Sequence, residues 1–350
     1  MKARIGIVGV GWWSCVNHIP TLQASEIADC IAICDLDADR LELVGKQFGI
    51  TARHTDVARM VREERLDGVI VATPHVAHRA PAIAALEAGA HVLVEKPMAT
   101  TGADARAIEQ AAARFQKQVM VPTGYNFTTF TETAAQLVRE GQIGTIRHAI
   151  CLMSSALDDL MAGEPMLETA NHLFRPPAST WADPARAGGY GWGQLSHALG
   201  WLCHVGDLEF TQLACMDGKS KTGVDFYDAA IGRTTCGATV SISGASTRPK
   251  HRGLHMEIRL FGTEGVLDLL CEDGAAKLVV SRLDGADTLP AIKPQEINYD
   301  GALPVHAFAA LCAGQPVINP ANATNGRRVT EALEALYRAA ASGKVEQVGT

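Results

Sequence analysis

The first third of the chain alternates short apolar runs with amphipathic segments, and this alternation limits the possible folds more than any other feature. The apolar runs read RIGIVGV, CIAICDLD, DGVIVATP, HVLVEKP and QVMVPTGYN. Between them apolar residues recur at intervals of three and four, and several segments end at a glycine, as amphipathic helices do. Strand, helix and strand repeated in this way predict a doubly wound parallel sheet, whose ligands bind at the carboxyl ends of the strands.

After about Gly124 the apolar runs follow one another with few helical segments between them. The segment FGTEGVLDL predicts a tight turn from Gly262 to Gly265, HALGWLCHVG an internal helix, and NGRRVTEALEALYRAAASG an amphipathic helix. We therefore expect two domains, an α/β domain at 1–123 and an α+β domain with a mainly antiparallel sheet at 124–350. The predicted strands of the second domain are IRHAICLMSS, FTQLACMDG, VDFYDAAIGR, GATVSISGAS, HMEIRLFG and AAKLVVSRLDG.

The composition excludes several kinds of partner. The 350 residues carry a net charge of −7, with 47% hydrophobic and 20% charged residues, and contain no long basic run. Nucleic acids and anionic membranes are therefore not expected as partners. The nine cysteines are an odd number and form no CxxC pair, which favours reduced thiols in the cytoplasm over disulfides or a metal site.

The stretch GVGWWSCVNH has the form of a nucleotide-binding turn. Gly9 and Gly11 follow the first apolar run, and such a turn lets a pyrophosphate reach the amides of a helix N-terminus. The third glycine is replaced by Ser14, a small residue that we expect to allow the same packing of helix on strand. We expect Trp12 and Trp13 to lie on the turn without blocking its amides.

Asp35 indicates which dinucleotide binds. It ends the run IAICD, where a carboxylate can hold the adenosine ribose hydroxyls and repel a 2′-phosphate. The next residue is Leu36 rather than a cation, so NAD is favoured over NADP. NADP stays open as the alternative, because the cationic side chain of Arg40 can reach a 2′-phosphate. A helix cap is the alternative role for Asp35, and Asp37 is a second candidate for that cap.

Two later motifs, ATPHVAH from Ala72 and VEKP from Val94, each follow an apolar run. Together with the opening turn, they resemble the glucose-fructose oxidoreductase, inositol dehydrogenase and rhizopine-catabolism family, known as Gfo/Idh/MocA. The resemblance extends over essentially the whole chain. It implies an N-terminal Rossmann domain that binds NAD, followed by an open-faced sheet domain for substrate binding and oligomerisation.

The resemblance also implies roles for single residues. Lys96 would face the nicotinamide and hydrogen-bond the reacting hydroxyl, with burial lowering its pKa, and the bond to Pro97 would be cis. The alternatives are an exposed lysine after a strand and, for His78, purely structural hydrogen bonds. The residues expected to contact the cofactor are Gly9, Gly11, Trp12, Trp13, Asp35, Arg40, Thr73, Pro74, His75, His78, Glu95, Lys96 and Asn126.

In the second half, GGYGWGQLSHALGW resembles the stretch in which the family carries an aspartate and, four residues later, a histidine. Aligned on His197, the aspartate's place is taken by Gly193. We expect His197 to take the hydroxyl proton while Lys96 polarises the oxygen; the alternative is that Lys96 is the sole base. His172 lies on the loop before this stretch. The expected substrate-binding residues are Lys96, Tyr125, Asn126, Arg175, Trp181, Gln194 and His197.

The sequence thus predicts an NAD-dependent dehydrogenase of a secondary alcohol on a sugar, cyclitol or related cyclic polyol, with Lys96 and His197 as catalytic residues. The missing aspartate and nearby aromatic residues keep a cyclic dihydrodiol open as substrate. A non-catalytic dinucleotide-binding regulator is the third hypothesis, and it would not need both catalytic residues. A broad open sheet predicts a homodimer or homotetramer.

Overall fold

A computed structural model of the chain describes residues 2–349. The strands are β1 (Ala3–Val8), β2 (Ala28–Cys34), β3 (Ala52–His54), β4 (Gly68–Val71), β5 (His91–Val94), β6 (Val119–Met120), β7 (Ile146–Ser154), β8 (Phe210–Lys219), β9 (Asp225–Thr234), β10 (Thr239–Ala245), β11 (His255–Gly262), β12 (Gly265–Glu272), β13 (Ala275–Arg282) and β14 (Glu346–Gln347). The α-helices are α1 (Ile19–Gln23), α2 (Ala38–Phe48), α3 (Val57–Glu64), α4 (Arg79–Glu87), α5 (Gly102–Phe115), α6 (Thr129–Arg139), α7 (Asp158–Met161), α8 (Ala178–Trp181), α9 (Ser196–Val205), α10 (Ala302–Cys312) and α11 (Ala323–Ser342).

The first sheet is the predicted doubly wound one. Its six strands are parallel and lie in the order β3-β2-β1-β4-β5-β6. The strand order reverses between β1 and β4, and such a reversal places a ligand crevice at the carboxyl ends of these strands. The predicted strands are confirmed, except that QVMVPTGYN forms only a two-residue strand.

Side-chain caps explain where three helices that connect strands of this sheet begin. Asp37, Asp56 and Thr101 precede α2, α3 and α5, and each side chain accepts a hydrogen bond from a backbone N–H in the first turn. α2 ends at Gly49, which has a φ of 70°, a left-handed conformation that glycine adopts without strain.

The second sheet has eight strands in the order β13-β12-β11-β7-β10-β9-β8-β14. Adjacent strands are antiparallel, except that β7 and β10 are parallel, which confirms the mainly antiparallel sheet. The predicted turn from Gly262 to Gly265 joins β11 to β12. The predicted helices α9 and α11 are also present, whereas α10 was not predicted because its apolar residues show no amphipathic period.

Contacts divide the chain into two compact units. The first contains Met1–Pro122, Pro165–Thr180 and Gly301–Arg327, and the second contains Thr123–Glu164, Trp181–Asp300 and Arg328–Thr350. The domain limits 1–123 and 124–350 stay a prediction. Within residues 2–349, no helix combines the length and the apolar character that crossing a membrane requires.

Candidate active site

The turn after β1 has a conformation that requires glycine at its first position. Gly9 has a φ of +84°, and a β-carbon there would lie 2.7 Å from the carbonyl oxygen of Ala72. Ser14 is buried, and its hydroxyl donates a hydrogen bond of 2.7 Å to the carbonyl of Gly9. A serine therefore closes the turn onto the following helix at the position where a third glycine is usual.

Gly11 leaves open space beside the same turn. A β-carbon at this position would meet no heavy atom within 4 Å among the described residues. A pyrophosphate can enter such a space, whereas a side chain would fill it. The turn therefore fits the phosphates of a dinucleotide.

Trp12 contacts a distant segment of the chain that belongs to the same compact unit. Its indole N–H donates a hydrogen bond of 2.9 Å to Nδ1 of His172, and the two rings stack with centroids 6.4 Å apart. His172 lies in Pro165–Thr180, the segment that precedes the glycine-rich stretch in the sequence, and it contacts the turn after β1. Arg175 is exposed on the same segment.

Asp35 lies at the end of β2 and holds the turn. Its carboxylate accepts hydrogen bonds from the backbone N–H of Val10 at 3.0 Å and of Asp37 at 3.1 Å, while Asp37 is the residue that caps α2. The guanidinium of Arg40 lies 3.7 Å from Asp35 and 3.6 Å from Asp37, and stands 5.6 Å from the ring of Phe174. A 2′-phosphate here would face two carboxylates, which favours NAD.

Glu95 joins the lysine motif to the helix that follows the turn. Its carboxylate lies 3.0 Å from Nε2 of the fully buried His18, and it accepts a hydrogen bond of 3.1 Å from the backbone N–H of Lys96. Burial alone would raise the pKa of Glu95, but the contact with His18 and the neighbouring charges leave it lowered. The carboxylate is therefore ionised at neutral pH. His18 was not among the site residues predicted from the sequence.

His78 lies between two backbone carbonyls. Its Nδ1 is 2.8 Å from the oxygen of Pro97 and its Nε2 is 2.8 Å from the oxygen of Thr73. The imidazole is buried, which lowers its pKa, and the Lys96–Pro97 peptide bond is cis. This geometry favours a structural role for His78, whose imidazole connects the loop after β4 to the segment that carries Lys96.

Lys96 itself is only partly exposed at the end of β5. Burial lowers the pKa of its ammonium to about 8, against the opposing effect of the Glu95 charge. The amine can therefore gain or lose a proton near neutral pH, which suits a group that interacts with a reacting hydroxyl.

In the second unit, a buried carboxylate anchors the glycine-rich stretch. Asp225 accepts hydrogen bonds from the backbone N–H of Gly191 at 2.7 Å and from the hydroxyl of Tyr337 at 2.8 Å. Trp192 stacks on Tyr337 with ring centroids 5.2 Å apart. Neither Asp225 nor Tyr337 was predicted as a site residue from the sequence, since neither lies in a motif.

His197 follows this anchored stretch on α9 and is buried, with 6% of its surface exposed. Tyr299 lies edge-on against its imidazole, with centroids 5.4 Å apart and planes at 84°. Gln194 is partly exposed one turn earlier, and the indole of Trp181 contacts Gly193. The aromatic neighbour Tyr299 gave no signal in the sequence.

Two residues predicted to bind a ligand also contact the interior of the second unit. Tyr125 is buried, its ring stacks on Trp201 at 5.7 Å, and its hydroxyl donates a hydrogen bond of 3.1 Å to the carbonyl of Ile297. The buried amide of Asn126 donates a hydrogen bond of 3.0 Å to the carbonyl of Gly200. The ligand-binding roles of Tyr125 and Asn126 stay predictions.

Two family models match the chain. The oxidoreductase family with an NAD-binding Rossmann fold matches residues 3–123, and the GFO/IDH/MocA C-terminal domain matches residues 131–268. Each match falls on one of the two sheets described above.

Individual relatives match parts of the chain. D-apiose dehydrogenase of Paraburkholderia graminis is 34% identical over 161 residues, 46% of this chain and 42% of the relative. The 1-carboxy-3-chloro-3,4-dihydroxycyclohexa-1,5-diene dehydrogenase of Comamonas testosteroni is 29% identical over 196 residues, 56% of this chain and 45% of the relative. The chain thus spans less than half the length of these two relatives.

A solved structure of an oxidoreductase from Agrobacterium radiobacter in complex with NAD+, L-tartaric acid and magnesium is similar over the whole chain. Its TM-score is 0.74 at 20% identity, with 100% of this chain and 99% of that chain covered. At this identity the likeness shows the fold, which is the same in both proteins.

The open space beside Gly11 predicts that Gly11→Ala weakens NADH binding without destabilising the fold. The methyl group would occupy space needed by the pyrophosphate, so we expect the Kd for NADH to rise about tenfold or more, which is the effect of at least ~1.4 kcal/mol. A fluorescence titration with NADH and a thermal melt measure the two effects. Gly9→Ala is the matched control, because its positive φ predicts a lower melting temperature. Unchanged NADH affinity in Gly11→Ala would contradict the assignment.

The lowered pKa of Lys96 predicts a stability cost at neutral pH. The amine has a pKa of about 8 in the folded chain, against 10.5 for an ordinary lysine side chain, so between these values the unfolded chain binds more protons and stability rises with pH. We expect Lys96→Met to be more stable than the unmodified protein at pH 7, with the difference shrinking above pH 8. Denaturant unfolding at several pH values tests this, with the exposed Lys344→Met as control. A pH-independent difference would refute the prediction.

Proposed function

Because the chain belongs to the Gfo/Idh/MocA oxidoreductase family, we propose that it is an NAD-dependent dehydrogenase of a secondary alcohol on a sugar, cyclitol or related cyclic polyol. The observation that carries the proposal is the position of Lys96 at the carboxyl end of β5, where burial lowers the pKa of its ammonium to about 8. Relatives named for a sugar and for a cyclic dihydroxy acid support the substrate class.

The dinucleotide would be held by residues at the carboxyl ends of β1, β2 and β4. Gly9 and Gly11 would hold its phosphates, and Asp35 would bind the adenosine ribose. Arg40 already has two carboxylate partners, so NAD is the proposed coenzyme and NADP the less suitable one. When bound, NAD+ supplies the acceptor for a hydride.

Lys96 and His197 would handle the substrate hydroxyl. The ammonium of Lys96 donates a hydrogen bond to the reacting oxygen and stabilises negative charge on it. The imidazole of His197 takes the hydroxyl proton as a general base. Glu95 acts as a positioning residue, because it holds both the backbone of Lys96 and the side chain of His18.

The open face of the second sheet supports self-association. Met216 on β8 and Tyr227 and Ile231 on β9 are large apolar residues that are 82%, 45% and 66% exposed. Burial of such residues favours association, so we propose a homodimer or homotetramer, which light scattering can measure. All nine cysteines are free thiols, which supports the proposed cytoplasmic location.

The proposal predicts NAD+ reduction that depends on a cyclic alcohol and on both named side chains. Purified protein with NAD+ and a panel of sugars, inositols and cyclic diols should show an increase in nicotinamide absorbance. His197→Asn should lower turnover about 10²–10⁴-fold, because the general base is lost. The exposed His306→Asn is the matched control.

Two outcomes would contradict this proposal in different ways. NADH binding without turnover of any panel member would favour the non-catalytic regulator. Near-normal turnover of His197→Asn, combined with loss of activity in Lys96→Met, would leave Lys96 as the sole base.

A further inference from the structure

The indole of Trp181 fills the space into which a side chain at position 193 would extend. A β-carbon on Gly193 would lie 2.6 Å from Cζ3 and 3.1 Å from Cε3 of Trp181, and 3.6 Å from Cε of Met161. The shortest of these distances is below 3.0 Å, which real β-carbons essentially never show. The Trp181 indole therefore has room in this position only because residue 193 is a glycine.

The backbone of Trp181 is fixed on the same glycine-rich stretch. Its carbonyl accepts a hydrogen bond of 3.0 Å from the N–H of Gly189. A β-carbon on Gly188 would lie 2.7 Å from that carbonyl oxygen. Trp181 thus contacts the stretch at three glycines, while part of its surface is accessible to solvent.

Gly193 and His197 lie on one face of a continuous helix. The π-helical segment Gly191–Leu195 runs directly into α9, and positions four residues apart on a helix are neighbours. The imidazole therefore has the Trp181 indole one helical turn away and the Tyr299 ring against it. Where the family stretch carries an aspartate, this chain has Gly193 with the Trp181 indole against it.

We propose that Trp181 is a specificity-determining residue, and that the substrate presents a ring edge without hydroxyl groups to its indole. This inference rests on the proposed dehydrogenase function. A hydroxyl placed against the indole loses its water and gains no carboxylate acceptor, whereas a C–H or C=C edge gains apolar contact. The substrate class is a cyclic vicinal diol with an unsubstituted ring edge, in preference to a fully hydroxylated cyclitol.

Two test substrates show how hydroxyl groups on the ring edge affect turnover. The compounds cis-cyclohexane-1,2-diol and myo-inositol share a six-membered ring with a cis vicinal diol, and differ in the hydroxyls on the remaining carbons. With the full chain and NAD+, we expect kcat/KM for the diol to exceed that for myo-inositol about ten- to a hundredfold, the effect of one or two unpaired hydroxyls.

Variants at the paired positions separate specificity from packing. Trp181→Ala should lower the preference for the diol about tenfold or more, and Trp181→Phe should retain it. In the double variant Trp181→Ala/Gly193→Asp, a carboxylate replaces the indole, and the preference should move further towards myo-inositol. Trp181→Gln keeps part of the side-chain volume and tests the same point if Trp181→Ala does not fold. The control is Trp192→Phe, which alters the stacking on Tyr337 and should leave the preference unchanged.

Three results would overturn the inference. The first is a preference of the unmodified protein for myo-inositol, and the second is an equal loss on both probes in Trp181→Ala, as expected of a purely structural residue. The third is turnover of other sugars with neither probe accepted. These three results leave the dehydrogenase function intact, whereas the absence of turnover on every alcohol tested, with NADH still bound, defeats both proposals.

Discussion

The buried carboxylate of Glu95 holds together the two segments of the first unit that would bind the cofactor, the turn after β1 and the Lys96 segment after β5. It contacts His18, on the helix that follows the phosphate turn, and the backbone of Lys96, at the end of β5. A buried carboxylate without such partners would be protonated or would destabilise the fold. Because one ionised group satisfies both contacts, the turn and the lysine are held in a fixed relation within the first unit.

In the second unit, Asp225 has a similar anchoring role. This buried carboxylate accepts hydrogen bonds from the backbone of Gly191 and from Tyr337, and it thereby fixes the start of the helix that carries His197. In both units the proposed reactive group is therefore adjacent to a segment whose backbone is hydrogen-bonded to a carboxylate. This is the support that precise positioning requires.

The parallel sheet and the dinucleotide turn were predictable because their signals are local: apolar runs, capping residues and a Gly-x-Gly turn. Contacts between segments that are distant in the sequence were not predictable. The sequence gives no sign that His172 reaches Trp12 or that Tyr299 reaches His197, since each pair is far apart along the chain. Tyr125 stays a predicted substrate contact, and its stacking on Trp201 likewise joins residues far apart along the chain.

The way the chain returns to the first unit has a consequence for how the protein can be divided. Segment 165–180 and segment 301–327 belong to that unit, and residue Asn322 forms a bridge with Met120 on β6. A fragment ending near residue 122 would therefore lack the partner of its edge strand and the helix α10 that packs on β1. The nucleotide-binding half is thus not a detachable module, and its completion during synthesis waits for the last fifth of the polypeptide.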